Sequence, residues 1–205
     1  MTAIDRCLWT DGAAGEARES AELPARTDVA IIGGGYTGLA AARALARRGA
    51  DATVLEQHTL GWGASGRNGG LVLPGYKPKM EELAKRLGVT RAARMFQLSL
   101  EAIQSLSNLI SEEGISCDFV RCGAVTLAAK PGHMRGLERS SRFMREQLGY
   151  ETELLSRDEL AREIESPRYH GGLVDPGGCS LQPAEYARGL AQAAERAGAR
   201  LLEGA

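Results

Sequence analysis

The stretch Asp28-Val-Ala-Ile-Ile-Gly-Gly-Gly-Tyr-Thr-Gly38 constrains the fold more than any other part of this chain. Val29 to Ile32 is a short continuous apolar run, the pattern of a strand buried on both faces. Glycines then force a turn, and an alanine-rich segment begins near Tyr36. Its pattern predicts a helix ending before Gly49, which stands where a left-handed C-cap glycine belongs. Ala40, Ala41, Ala42 and Ala44 are small enough for that helix to lie close against a sheet. Ala52 to Leu55 reads as a second strand and completes a βαβ unit.

Gly33, Gly35 and Gly38 carry the spacing G-x-G-x-x-G between strand and helix. Gly33 permits the tight turn, Gly35 lets the backbone approach a pyrophosphate, and Gly38 permits close helix–strand packing. Amide donors and the helix dipole favour negative charge at that helix start. Glu56 ends the second strand about twenty residues beyond Gly38, where an acid hydrogen-bonds ribose hydroxyls. A carboxylate there repels a 2′-phosphate, so NADP is disfavoured. His58 beside it reads as a surface residue rather than as a neighbour of an adenine ring. To this point NAD and FAD are equal readings.

Gly61-Trp-Gly-Ala-Ser-Gly-Arg-Asn-Gly-Gly70 separates them. A loop this rich in glycine, just past the ribose-binding strand, brings several backbone amides against a ligand. Ser65 and Arg67 can donate to phosphate oxygens, and Asn68 to a carbonyl or ring nitrogen. NAD needs no such loop there; an isoalloxazine lying beyond the pyrophosphate does.

The rest of the chain changes style. Leu71 to Leu73 is a short strand closed by Pro74-Gly75, and Met80 to Leu87 a helix ended by Gly88. Thr90 is expected to cap a longer helix reaching Gly114, with Phe96, Leu100, Ile103, Leu106 and Ile110 as its core stripe. Val120-Arg121 and Ala124 to Ala128 read as strands, and Pro131 opens a helix that Gly149 ends. Ser156-Arg-Asp-Glu159 is a capping box starting a helix through Ile164. Pro183 opens an Ala-rich helix to Ala197, and Arg200 to Glu203 is a strand expected parallel to the second one. Tyr76 and Lys77 read as ordinary loop residues, His133 and His170 as surface. The expected domains are an arm over 1–27 anchored by Trp9, a nucleotide-binding domain over 28–75 and 171–205, and an inserted α+β portion over 76–170.

Over 205 residues, 25 Lys+Arg stand against 26 Asp+Glu. No net basic field draws in nucleic acid or an anionic membrane. Glycines interrupt the apolar stretch from Val29 to Ala46, which argues against a membrane span. Cys7, Cys117, Cys122 and Cys179 fit no zinc pattern and read as reduced thiols, and no metal site is expected. Met1 to Arg6 has no basic stretch leading into an apolar run, so a cytoplasmic protein is expected.

These residues also carry a resemblance. The fingerprint over 28–42, the loop over 61–70, Gly171-Gly-Leu-Val and Gln182-Pro183 resemble the D-amino-acid-oxidase-like FAD flavoproteins, within them the γ-glutamylputrescine oxidoreductase-like branch. The resemblance covers about residues 28 to 205. It implies an α/β fold: a Rossmann-like FAD-binding βαβ domain with an inserted α+β substrate-domain portion. It also implies FAD held by Gly33, Gly35, Tyr36, Thr37, Gly38, Glu56, Gln57, Ala64, Ser65, Arg67, Asn68, Gly69, Gly70 and Leu71. The last three are placed near the flavin ring. Neither His nor Cys occurs in 61–70, and Arg67 stands about where histidine-tethered members carry theirs, so non-covalent FAD is expected.

The implied reaction is oxidation of the C–N bond of a small amine or amino-acid substrate to an imine, by hydride transfer to flavin N5, and then hydrolysis. Members of the family run to roughly twice this length. The chain is therefore expected to be an N-terminal portion, inactive and poorly soluble alone, with catalytic residues beyond Ala205. Two other readings stay open: a non-catalytic flavin-binding remnant, and an NAD-dependent dehydrogenase.

Overall fold

The computed structural model describes residues 7–9 and 22–205. They form two compact units: one within residues 1–70, 108–119 and 181–205, the other within 71–107 and 120–180. Most of the expected arm, 1–6 and 10–21, lies outside the described residues.

The first unit is built on a parallel sheet of β1 (Val29–Ile32), β2 (Ala52–Glu56) and β8 (Arg200–Glu203), in the order β1-β2-β8. Val29 pairs with Ala52, and Val54 with Leu201. Helix α1 (Tyr36–Ala46) connects the first pair, and α6 (Pro183–Arg196) leads into β8. Both crossovers carry the chain the same way across the sheet, so right-handedness puts both helices on one face. There they pack on each other. Leu39 and Ala42 of α1 meet the α6 side of a core that includes Leu190, Ala194 and Val54, all fully buried. Small alanines allow the close approach that the sequence pattern implied. Gly49 takes φ +85° and turns the chain out of α1.

One expectation fails here. β1 is not buried on both faces: Ile32 is 81% exposed and Ala30 is exposed. Among the described residues β1 pairs only with β2 and forms the sheet edge, and the face carrying Ala30 and Ile32 lies opposite α1 and α6.

The last turn of α3 (Val89–Glu113) belongs to this unit and supplies an ionic clamp. Glu113 accepts from Arg43 Nε of α1 at 2.7 Å and from Arg196 of α6 at 2.9 Å. Burial pushes its carboxyl up, but hydrogen bonds and charge from Arg43 and Arg196 outweigh it and hold the group below its ordinary value of 4.5. A depressed folded value means stability that is complete above that ordinary value and lost as pH falls through the folded one. Urea midpoints between about pH 3 and 6 are therefore expected to fall more steeply for the natural chain than for E113Q.

In the second unit, α2 (Met80–Leu87), the first part of α3 and α4 (Pro131–Leu148) enclose Met80, Leu83, Ala92 and Phe96. Phe96 also meets Tyr150 edge-on at 4.9 Å. Beside them lies an antiparallel sheet β4-β6-β5, of β4 (Ala124–Leu127), β6 (Gly171–Asp175) and β5 (Glu153–Ser156). A small pair joins β3 (Leu71–Val72) to β7 (Cys179–Ser180). Val120 makes a single bridge to Ser180 rather than the expected strand.

Other expectations shift with these pairings. β5, β6 and β7 were not legible as strands. Because β6 is the central strand between β4 and β5, residues 171–180 belong with the second unit, whereas the sequence pattern grouped 171–205 with the first. Segment 108–119 goes the other way, to the first unit. The capping box at Ser156 forms as expected, yet α5 covers only Arg157–Leu160. Beyond it Arg162 and Glu163 donate three residues back, a tighter turn that ends the helix before Ile164. α3 begins at Val89, ahead of the expected cap at Thr90.

Candidate cofactor site

The site is assembled at the carboxyl ends of β1 and β2, within the first unit. Gly33 takes φ +95°, and its amide donates to Leu55 O at 2.8 Å, which ties the turn to the neighbouring strand. Gly38 lies so close to the turn that a Cβ there would overlap the Gly33 carbonyl oxygen. Gly35 is the N-cap of α1 and has no side chain with which to cap it. The first intrahelical bond runs from Leu39 N to Gly35 O, so the preceding amides have no helical acceptor. One of them, Tyr36 N, donates to Ser65 Oγ at 3.0 Å. A loop hydroxyl thus sits where the helix start favours an anionic oxygen.

Glu56 faces the same turn. Its carboxylate accepts from Gly34 N at 2.7 Å and from His58 N at 2.9 Å. Two of roughly four acceptor positions remain for a ribose. Gly34, which the fingerprint spacing did not single out, thereby becomes the link between turn and acid. Gln57 and Thr37 are exposed.

The 61–70 loop folds back over this end. Gly61 N donates to Gly34 O at 2.9 Å and Gly66 N to Gly61 O at 2.8 Å, around a 3-10 turn over Ala64–Gly66. Ala64 is exposed on that turn. Nothing lies within 4 Å of where a Cβ would stand at Gly33, Gly63 or Gly69. That open space beside backbone amides fits a dinucleotide, as do the uncapped helix start and the acceptor at the strand end.

Two loop side chains are committed elsewhere. Arg67 donates from Nε to Trp62 O at 2.7 Å and lies 4.5 Å over the Trp62 ring. His58 stacks on the same indole with centroids 4.0 Å apart. Asn68 bonds within its own loop, accepting from Gly70 N at 2.8 Å. Gly70 is buried with φ +70°, bonded through its carbonyl to Leu181 N at 2.9 Å. Leu71 opens β3 in the second unit and is exposed.

Behind the loop lies a polar cluster with no sequence signal of its own. Tyr36 Oη donates to Pro183 O at 2.9 Å, and its ring meets Tyr186 edge-on at 4.9 Å. Burial is the main cause that raises both phenols, Tyr186 to about 12. Burial likewise raises the Cys117 thiol. These groups are neutral at ordinary pH and act here as hydrogen-bonding and packing groups. Gln182 caps α6 by accepting from Glu185 N and donates to Trp9 O at 3.0 Å, so Trp9 reaches the core through its backbone carbonyl. Cys117 and Cys122 are both free thiols, as the sequence reading expected. His133 and His170 are exposed, as expected. Tyr76 donates to Met95 O within the second unit.

Residues 28–205 match the family described as FAD dependent oxidoreductase, DAO. The chain belongs to that family. FAD is the cofactor of this family. Its fold is the α/β fold of glycine oxidase and other DAO-like FAD enzymes. The chain is 34% identical to the gamma-glutamylputrescine oxidoreductase of Escherichia coli, over 86% of its own length and 41% of that protein. It is 38% identical to a probable oxidoreductase, OrdL, of Rhizobium meliloti, over 87% of its length and 42% of that protein. The crystal structure of glycine oxidase from Geobacillus kaustophilus superposes with a TM-score of 0.76 at 28% identity, covering 87% of this chain and 47% of that one. The chain thus spans about two-fifths of the length of the curated relatives it matches. Among the described residues no helix is long and apolar enough to cross a membrane.

Proposed function

We propose that the first unit of this DAO family chain holds FAD non-covalently, through Gly33, Gly35, Tyr36, Thr37, Gly38, Glu56, Gln57, Ala64, Ser65, Gly69 and Gly70, with Arg67 and Asn68 shaping the loop. Leu71 follows in sequence. The observation that carries the reading is the loop closed onto α1, with Ser65 Oγ on Tyr36 N and Glu56 on Gly34 N. Backbone amides at the start of α1 bind the pyrophosphate, and Glu56 accepts from ribose hydroxyls. The buried Gly70 turn keeps the chain close to the ligand.

Bound FAD supplies the hydride acceptor for oxidising a C–N bond. The proposed substrate class is a small amine or amino acid, supported by the names of the gamma-glutamylputrescine oxidoreductase and glycine oxidase relatives. The chain spans about two-fifths of such relatives, and these 205 residues by themselves are expected to bind FAD without steady amine-dependent flavin reduction. A cytoplasmic setting is part of the proposal, in keeping with the free thiols of Cys117, Cys122 and Cys179.

Titrating the purified chain with FAD and with NAD tests the cofactor. The expected result is a yellow protein with saturable FAD binding that excess NAD does not reverse. A protein that takes up no FAD defeats the reading. Acid precipitation is expected to leave the flavin in the supernatant, and flavin retained in the pellet would show a covalent bond.

A further inference from the structure

Asn68 sits in the candidate cofactor loop with an amide side chain, and the obvious role for such a group is contact with the flavin. Its bonds say otherwise. Nδ2 donates to Ser65 O at 2.9 Å and to Ala64 O at 3.1 Å, and lies 3.4 Å from Tyr36 Oη. Oδ1 accepts from Gly70 N at 2.8 Å. The neighbours' chemistry sets this orientation, because two carbonyls need the NH2 end and a backbone N–H needs the oxygen. Both amide hydrogens are spent.

The peptide groups that Asn68 engages are the ones that shape the site. Ser65 puts its hydroxyl on the first amide of α1. Gly70 is held in a left-handed conformation against Leu181, where a Cβ would overlap the Leu181 carbonyl oxygen. Between them the loop has only one short 3-10 turn and no strand ladder. One carboxamide therefore replaces regular backbone pairing across residues 64 to 70.

Building on the FAD site proposed above, we infer that Asn68 is a positioning residue: it fixes the loop that receives the pyrophosphate half of the cofactor, and does not contact the flavin ring. The carboxamide is required for this. Asp is its isostere but has no donor, and it would set a carboxylate against the Ala64 and Ser65 carbonyl oxygens.

The test compares FAD with ADP, the half of the cofactor that lacks the ring, on the full 205-residue chain. N68D is expected to weaken both ligands by a similar factor, about tenfold or more. The melting temperature of the ligand-free protein should fall by less than about 4 °C. N68A serves if N68D does not fold, with a smaller loss of the same pattern and an unchanged visible spectrum of the flavin that does bind. Weakening confined to FAD would mean direct ring contact and overturn the inference, as would unchanged binding of both ligands. A large fall in melting temperature for N68D and N68A alike would mean a general structural role and also overturn it. A natural chain that binds neither ligand defeats the FAD-site reading itself, and this inference with it.

Discussion

G38A is expected to abolish retention of FAD and to cost the fold about 3 kcal/mol or more. A Cβ at Gly38 would overlap the Gly33 carbonyl oxygen, and its next neighbours are the Gly33 carbonyl carbon and Ile31 Cγ2 at 3.3 Å. The obstruction is backbone, so no rotamer change relieves it. Relief requires α1 to move off β1 or the Gly33 turn to open, and either displaces the amides at the helix start. The measurement is visible flavin absorbance after purification with excess FAD, alongside a urea melt of the ligand-free chain. Natural affinity in G38A would show that this close packing is not needed. G63A makes the control: a Cβ there meets nothing within 4 Å of the protein, so the fold should tolerate it.

E113Q is expected to be the costliest surface-neighbouring change, at about 2 kcal/mol. Arg43 is only 9% exposed, and Glu113 is the nearer of its two carboxylate partners; the other, Glu112, lies 3.6 Å away and is exposed. Glutamine keeps the shape but leaves a desolvated cation with only the more distant, solvent-screened Glu112 carboxylate, which is worse than removing the cation as well. R43M should therefore cost less than E113Q, and R43M/E113Q less than the sum of the two. Urea unfolding of the single and double variants checks this cycle. Additive costs would mean that the two side chains act independently. The partial exposure of Glu113 and its second bond to Arg196 keep the figure below that of a fully buried pair.

The features legible in advance were those with local causes. Gly33 and Gly49 adopt the positive φ that a tight turn and a C-cap require, and Leu39, Ala42 and Ala46 of α1 are buried because spacings of three and four residues put them on one side. Ser156 and Glu159 make their reciprocal cap over three residues. The parallel alignment of β8 with β2 followed from the handedness of crossovers.

What stayed hidden depended on partners far along the chain. Gly171–Asp175 is not a strand by composition; it becomes one because β4 and β5 flank it. Arg67 and Asn68 looked like ligand donors by residue type, yet acceptors inside the loop use them first. Ile32 reads as core and is exposed, because strand propensity says nothing of which face another layer covers.

By itself, then, the amino-acid order determined the turn, the helix after it, the acid at Glu56 and the dinucleotide chemistry they support. Each depends on φ preferences and spacings of a few residues. Only the tertiary structure decided that Glu56 is held by Gly34, that Ser65 sits on the start of α1, and that Asn68 is consumed in shaping the loop. Those assignments are competitions among acceptors brought together by the fold, and a donor's identity alone does not decide which acceptor wins.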